Sequence, residues 1–434
     1  MEPQNKNSRP QRFPQRLKIG GCDAGELAET HGTPLICYDE AIIRDNCKRY
    51  IASFARNGNR VAYAGKAFLC LAMCQIVAEE GLYLDVVSGG ELYTALQAGF
   101  PAEKIYFHGN NKSRDELTMA VTAGVGCIVV DNTYEYQNLR EVARASRSLQ
   151  PVSILLRVAV GVDAATHPYV MTGHFESKFG LSLGSQELDS LVADALNEPS
   201  LTLMGFHSHI GSQITDSRSF TQAVDALFAG VRRYLTLYQW SPPELNLGGG
   251  LGVPYTADDK QISIEEHCAL LLNTAQRHMD DLNFTSRLTV EPGRSIVGPA
   301  GTTLYRVGAI KRTPNGRCFV NVDGGMADNP RVALYQAKYT CSVADQIDQP
   351  GSFTYTVAGK ACESGDILIW DHPLPEVQSG DILAVNTTGA YTYSMASNYN
   401  RLPRPAVVLA KDGEAKLIIA RETYSDLTRL DRPK

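Results

Sequence analysis

Apolar residues recur along this chain with two periods, and the change between them falls near Gly301. Ile42, Ile43, Cys47, Tyr50, Ile51 and Phe54 stand at helical spacing and define one apolar face. Beyond them, short apolar runs predict strands at 61–64, 84–86, 105–108, 127–130, 153–158, 203–207, 244–247 and 288–290, with helical stretches between most of them. The clearest helix covers 219–238, where Phe220, Val224, Leu227, Val231, Tyr234 and Tyr238 share a stripe. Counting the helix before the first strand, eight helices accompany eight strands. Such alternation means parallel strands joined by right-handed crossovers, and eight of them predict a closed (β/α)8 TIM barrel over 39–300. An open doubly wound sheet is the alternative, but it rarely carries chemistry-bearing groups at every strand end.

Past Gly301 the segments become short, β-branched and punctuated by Gly, Pro, Asn and Asp. They predict strands at 302–311, 317–322, 354–358, 367–370, 382–386, 406–410 and 415–420, hence an all-β C-terminal domain of barrel or sandwich type. A strand at 34–38 has no place in a barrel that already counts eight. It is assigned to the second domain, which then comprises 19–38 and 301–434. Residues 1–18, rich in Arg, Gln, Asn and Pro and without an apolar stretch, read as a disordered basic tail and not as a signal sequence.

Composition narrows the function classes. The 434 residues are 44% hydrophobic and 20% charged, which is ordinary for a globular protein. A net charge of −6 gives no reason to expect a nucleic-acid partner. No apolar run reaches membrane-spanning length. Ten scattered cysteines suit free thiols in a reducing cytoplasm.

The expected strand ends carry Lys66, Ser88, His108 with Asn110, Asp131, Arg157, His209, the glycines 248–250, and Glu291 with Arg294. In a barrel of this kind, chemistry sits where strands end. A lone lysine in such a loop is usually a surface residue. A ring of functional groups makes Lys66 a candidate amine nucleophile, with desolvation expected to lower its pKa. A glycine cluster alone is a turn. Placed after strand seven, with Arg294 in the next loop, it is expected to cradle phosphate. Lysine plus phosphate site points to pyridoxal phosphate, and Glu291 can keep the pyridine nitrogen protonated, which favours carbanion-forming decarboxylation. The His207-x-His209 pair offers a metal reading instead, but a ligand set needs three or four convergent groups, so no metal is expected.

Seven ordered motifs carry a resemblance: Tyr63-Ala-Gly-Lys-Ala67, Asp85-Val-Val-Ser-Gly-Gly-Glu91, His207-Ser-His-Ile-Gly-Ser-Gln213, Gly248-Gly-Gly250, Glu291-Pro-Gly-Arg294, Cys362-Glu-Ser-Gly-Asp366 and Gly389-Ala-Tyr391. From about Gly21 onwards the chain resembles the fold-type III pyridoxal-phosphate amino-acid decarboxylases, and within them the branch acting on meso-2,6-diaminopimelate. The resemblance implies decarboxylation of that substrate to L-lysine and CO2, the last step of lysine synthesis, by a homodimer with shared active sites. The alternative is a related decarboxylase of another amino acid, including a carrier-linked one. A catalytically dead binding homologue is the reading from another class, and retention of Lys66, Glu291 and Cys362 speaks against it.

Lys66 is implied to carry the cofactor, His209 to stack on its ring, and Asp85 to support that histidine. Ser212, Gly249, Gly250, Arg294 and Tyr391 are implied to hold the phosphate, and Cys362 from the partner subunit to return a proton. For the distal end of the substrate, Arg294 and Arg331 match the carboxylate and Glu363 the ammonium, with Tyr335 and Tyr391 alongside. Two departures stand out: Phe68 where the family usually has asparagine, and Asp328-Asn-Pro-Arg-Val-Ala-Leu-Tyr335 around Arg331.

Overall fold

A computed structural model describes residues 15–146, 150–162 and 177–434. Nine strands form its first sheet, and eight parallel ones make the barrel: Arg60–Ala64, Tyr83–Val86, Ile105–Phe107, Cys127–Val130, Val152–Ala159, Leu201–His207, Glu244–Asn246 and Arg287–Val290, with the short Leu181–Ser182 added beside Val152–Ala159. The sheet closes because the eighth strand pairs with the first, through Thr289 with Arg60 and Val290 with Val61. The chain is therefore a (β/α)8 barrel in its first part, as the alternation predicts, and not an open sheet. Side chains of Ala62, Tyr106, Cys127, Val129 and Leu155 fill one end of the interior. The other end, where the strands terminate, stays open.

A second sheet follows the order Ile367–Leu374, Phe353–Ala358, Cys318–Val322, Gly301–Arg312, Leu35–Asp39, Ala406–Lys411 and Glu414–Ile419. The strand that precedes the barrel, Leu35–Asp39, lies inside this sheet, antiparallel to Gly301–Arg312 and parallel to Ala406–Lys411. Its residues Leu35, Ile36, Cys37 and Tyr38 are all fully buried, which fits a near-continuous apolar run in a central strand.

The two parts interlock at the open end of the barrel. Val253 and Tyr255, from the loop after the seventh barrel strand, pack into the second domain's core with Tyr305, Tyr339 and Leu383. Tyr391 donates its N–H to Ala67 O at 2.9 Å, and Ser394 Oγ bonds the same carbonyl at 3.0 Å. The turn that bears Lys66 is thus clamped from the second domain.

Some local expectations differ. Ile42 is 39% exposed, and Asn46 takes the buried position, donating Nδ2 to Ile296 O at 3.0 Å. The helix Ala24–His31, capped by Asp23, and the strand Cys341–Val343 were not legible in the pattern. Of the tail, 1–14 lie outside the described residues. Leu17 N bonds Ala344 O at 2.6 Å, and Lys18–Ile19 pairs with Cys22–Asp23. Among the described residues no helix is long and apolar enough to cross a membrane.

Candidate active site

Lys66 sits in a single 3-10 turn, Gly65–Ala67, immediately after the first barrel strand. The turn leaves the lysine side chain 37% exposed, with Nζ 3.7 Å from Asp85 Oδ2 at the end of the next strand. Together with the ends of the other strands it lines a cavity of about 390 Å3. Lys66, His209, Ser212, Gly250, Glu291, Arg294, Tyr335 and Tyr391 line this cavity, with His108, Arg157 and His207 also facing it. Asp85, Gly249 and Arg331 stand behind the lining. Cys362 and Glu363 are exposed and take no part in it.

One expectation is reversed. Desolvation does push the Lys66 ammonium downward, but Asp85, Tyr391 and Glu291 more than offset it, and its pKa is raised. Loss of water is the largest single effect, but Asp85, Tyr391 and Glu291 together outweigh it. Lys66 is therefore held as a cation.

Glu291 ends the eighth strand and is almost fully buried. Its Oε1 accepts from His108 Nε2 at 2.7 Å and Asn246 Nδ2 at 2.6 Å, and its Oε2 from His207 Nε2 at 3.0 Å. Burial raises its pKa, but His108 and His207 outweigh that and hold it well below the usual carboxylate range. Among the described residues Asp85 has no hydrogen-bond donor on either oxygen, and burial pushes its pKa up. The two carboxylates are thus separated in role by their donors: Glu291 keeps its charge, Asp85 is destabilised as an anion.

His207 stands beside Glu291, and burial lowers its pKa to about 3, so it stays a neutral donor. His209 accepts from Gly249 N–H at Nδ1, 3.2 Å away. Its pKa is lowered far below the free value by burial, then by Lys66 and Arg157. Asp85 faces Lys66 and His108, 3.8 Å from the latter's Nε2, where support of His209 was expected. Among the described residues one group brings three potential metal ligands within 4.8 Å of one another: His108, His207 and Glu291, without His209. These atoms already hydrogen-bond each other, so a metal there must displace that network.

The glycine run has a packing reason as well as a chemical one. A Cβ on Gly249 would lie 2.0 Å from Glu291 O, and one on Gly250, at φ +119°, 2.6 Å from Gly211 O. The loops after strands six, seven and eight are pressed together there, and of glycines 248–250 it is Gly250 that borders the cavity. Beside it, Arg294 donates Nη2 to Ser212 Oγ at 2.9 Å and Nη1 to Tyr255 OH at 2.6 Å, with its guanidinium 4.6 Å over the Tyr391 ring.

Arg331 opens a one-turn helix, Arg331–Tyr335, whose i, i+4 spacing places both residues on one side. Its Nη1 donates to Tyr255 OH at 2.8 Å and Tyr339 OH at 2.7 Å. One tyrosine hydroxyl therefore joins the two arginines. Among the described residues neither arginine is paired with a carboxylate, and the Nε of each is buried without a partner. Buried cations served only by neutral hydroxyls suit incoming anions. Phe68, the first departure, stacks on Tyr38 at 4.4 Å and belongs to the core.

Asn246 and Tyr255 were not singled out from sequence. Asn246 ends the seventh strand two residues before Gly248, and that register was the available signal. Tyr255 lies in a loop, and nothing local marks it. Ser88, by contrast, is a helix cap, accepting Glu91 N–H at 3.2 Å.

A closed parallel barrel that offers a lysine, a fixed carboxylate and an arginine-lined cup at its strand ends is the architecture of a pyridoxal-dependent decarboxylase. The family described as "Pyridoxal-dependent decarboxylase, pyridoxal binding domain" matches residues 40–298. The chain is 50% identical to the diaminopimelate decarboxylase of Bacillus subtilis (strain 168) over 420 residues, 96% of this chain and 95% of the relative. The structure of diaminopimelate decarboxylase from M. jannaschii with L-lysine superposes with a TM-score of 0.90 at 36% identity, covering 96% of each chain. That from Helicobacter pylori, also with L-lysine, gives 0.86 at 31%, covering 94% of this chain and 99% of the other. The chain belongs to the diaminopimelate decarboxylase family.

Proposed function

We propose that this protein decarboxylates meso-2,6-diaminopimelate to L-lysine and CO2 with pyridoxal phosphate, closing lysine synthesis. The observation that carries the substrate reading is the buried Arg331, whose Nη1 meets Tyr255 OH and Tyr339 OH and which, among the described residues, has no carboxylate partner. A substrate with a second carboxylate far from its reacting carbon supplies the missing anion.

The residues present fit the cofactor. Ser212, Gly250, Arg294 and Tyr391 form the phosphate cup, and the unpartnered Arg294 Nε supports an anion there. Gly249 serves indirectly, by orienting His209. When bound, pyridoxal phosphate supplies an aldehyde that condenses with amines and a protonated ring that accepts the electron pair left by departing CO2. Lys66 Nζ is the amine that would hold it. Glu291 holds a negative charge against the ring nitrogen and so keeps its proton in place. His209, neutral and fixed at Nδ1, offers a flat face for the ring. Arg331 grips the distal carboxylate with Tyr335 beside it, and Glu363 takes the distal ammonium.

Cys362 Sγ then returns a proton to the substrate Cα. Cys362 and Glu363 are exposed on the isolated chain and absent from its own cavity lining, which supports delivery to a partner subunit's barrel in a homodimer. The proposed domain division is a barrel at 39–300 and a β domain at 19–38 with 301–434, to which Leu17 and Lys18 of the 1–18 tail are bonded. All ten cysteines are free thiols, which supports a reducing, cytoplasmic setting.

Two outcomes check this reading. Arg331→Met is expected to raise KM for meso-diaminopimelate by roughly 10- to 100-fold, by removing a charge-assisted grip of about 1.5–3 kcal/mol, while cofactor absorbance stays unchanged. An unaltered KM contradicts the distal role. Mixing inactive Lys66→Ala and Cys362→Ala dimers under exchange is expected to restore about a quarter of parental activity, since half the dimers are mixed and each has one complete site. No recovery contradicts shared sites.

A further inference from the structure

The loop that carries Cys362 has no regular structure of its own, yet two consecutive backbone N–H groups in it are capped by side chains. Ala361 N–H goes to Asp366 Oδ2 at 2.7 Å, and Cys362 N–H goes to Asn400 Oδ1 at 2.6 Å. Asp366 is 2% exposed, and its other oxygen accepts Met326 N–H at 2.7 Å. A Cβ on Gly359 would lie 2.2 Å from this carboxylate, and one on Gly325 2.5 Å. Two loops are therefore folded tightly onto one buried acid.

Asn400 is held in the left-handed region, φ 52° and ψ 23°, which asparagine tolerates better than most residues. Its neighbourhood is anchored independently: Ser397 N–H bonds Ala327 O at 2.8 Å, and Asn398 Nδ2 bonds Glu422 Oε2 at 2.6 Å. The same segment begins at Tyr391, which caps the Lys66 turn through Ala67 O. One stretch of chain thus fixes the lysine turn at one end and the cysteine loop at the other.

We propose that Asn400 and Asp366 are the positioning residues that fix the Cys362 thiol for proton return, each holding one of two consecutive backbone N–H groups. This rests on the reading of Cys362 as the proton donor. A proton must be delivered to one atom from one direction, so a loop thiol needs such a frame. Asn400 reaches Cys362 through that residue's backbone N–H, so it acts through Cys362.

The test uses the pyridoxal-phosphate holoenzyme, with steady-state kinetics on meso-diaminopimelate and peptide-resolved alkylation of Cys362 by iodoacetamide. Asn400→Gly keeps the left-handed backbone available and deletes only the acceptor. It is expected to lower kcat roughly 10²-fold with KM changed by less than about twofold, and to speed Cys362 alkylation. Asn400→Asp keeps an acceptor oxygen and is expected to restore kcat and the slow alkylation. Asp366→Asn has one acceptor for two N–H groups and is expected to act in the same direction, which carries the test if Asn400→Gly does not fold. Parental kcat and alkylation in Asn400→Gly, or an Asn400→Asp as impaired as Asn400→Gly, overturns the proposal. Cys362→Ser separates the two layers: parental kcat there removes the proton-donor reading itself, whatever the alkylation rates show.

Discussion

Replacing Lys66 with alanine is expected to lower kcat by at least about 10⁴-fold, and to abolish the mass increment that borohydride fixes on the holoenzyme. Lys66 is placed for this by more than its position at a strand end. Its turn is pinned by Tyr391 N–H and Ser394 Oγ on Ala67 O, so Nζ enters the cavity from a rigid base. Its ammonium is stabilised by Asp85, at 3.7 Å, and by Glu291. A cationic lysine is a poor nucleophile, so loading must proceed with loss of a proton. The fold should survive the change: Asp85 keeps His108 beside it. An undiminished borohydride-fixed increment in Lys66→Ala would place the tether on another lysine.

The second large effect belongs to Glu291. Glu291→Gln is nearly isosteric but cannot hold a negative charge against the ring nitrogen. It is expected to reduce kcat by roughly 10²- to 10³-fold, shift the visible absorption of the bound cofactor and leave cofactor retention intact. The surroundings can accept a glutamine amide: His207 Nδ1 is buried and unpartnered, so that imidazole can move its proton there and accept at Nε2. Loss of kcat without a spectral change would mean that Glu291 acts on something other than the cofactor ring.

The barrel was legible because apolar runs and helical stripes alternate regularly, and its eight strands fall within one or two residues of their expected bounds. The strand Leu35–Asp39 was assigned to the second sheet by elimination, and it lies there between Gly301–Arg312 and Ala406–Lys411. What escaped was short or set by distant contacts. Cys341–Val343 is three residues long and exists by pairing with Ile382–Asn386, too little for any periodicity. The helix Arg331–Tyr335 is one turn and is organised by Arg331 reaching Tyr255 and Tyr339.

For the site, the strand-end rule located Lys66, His108, Arg157, His209, Glu291 and Arg294 around one cavity. It could not say which of these bond one another. The sign of the Lys66 shift was missed because desolvation is visible in a sequence as burial, whereas the balancing carboxylates are a matter of ångströms. Asn246 and Tyr255 became visible only through what they touch, Glu291 in one case and two arginines in the other.

The substrate assignment is the centre of this account, and release of CO2 by the purified pyridoxal-phosphate holoenzyme tests it most directly. Meso-diaminopimelate, L-lysine, L-ornithine and L-arginine would be offered in parallel at equal concentration. CO2 from meso-diaminopimelate with matching L-lysine, and none from the three amino acids without a distal carboxylate, is the expected result. Release from one of those three with none from meso-diaminopimelate would contradict it.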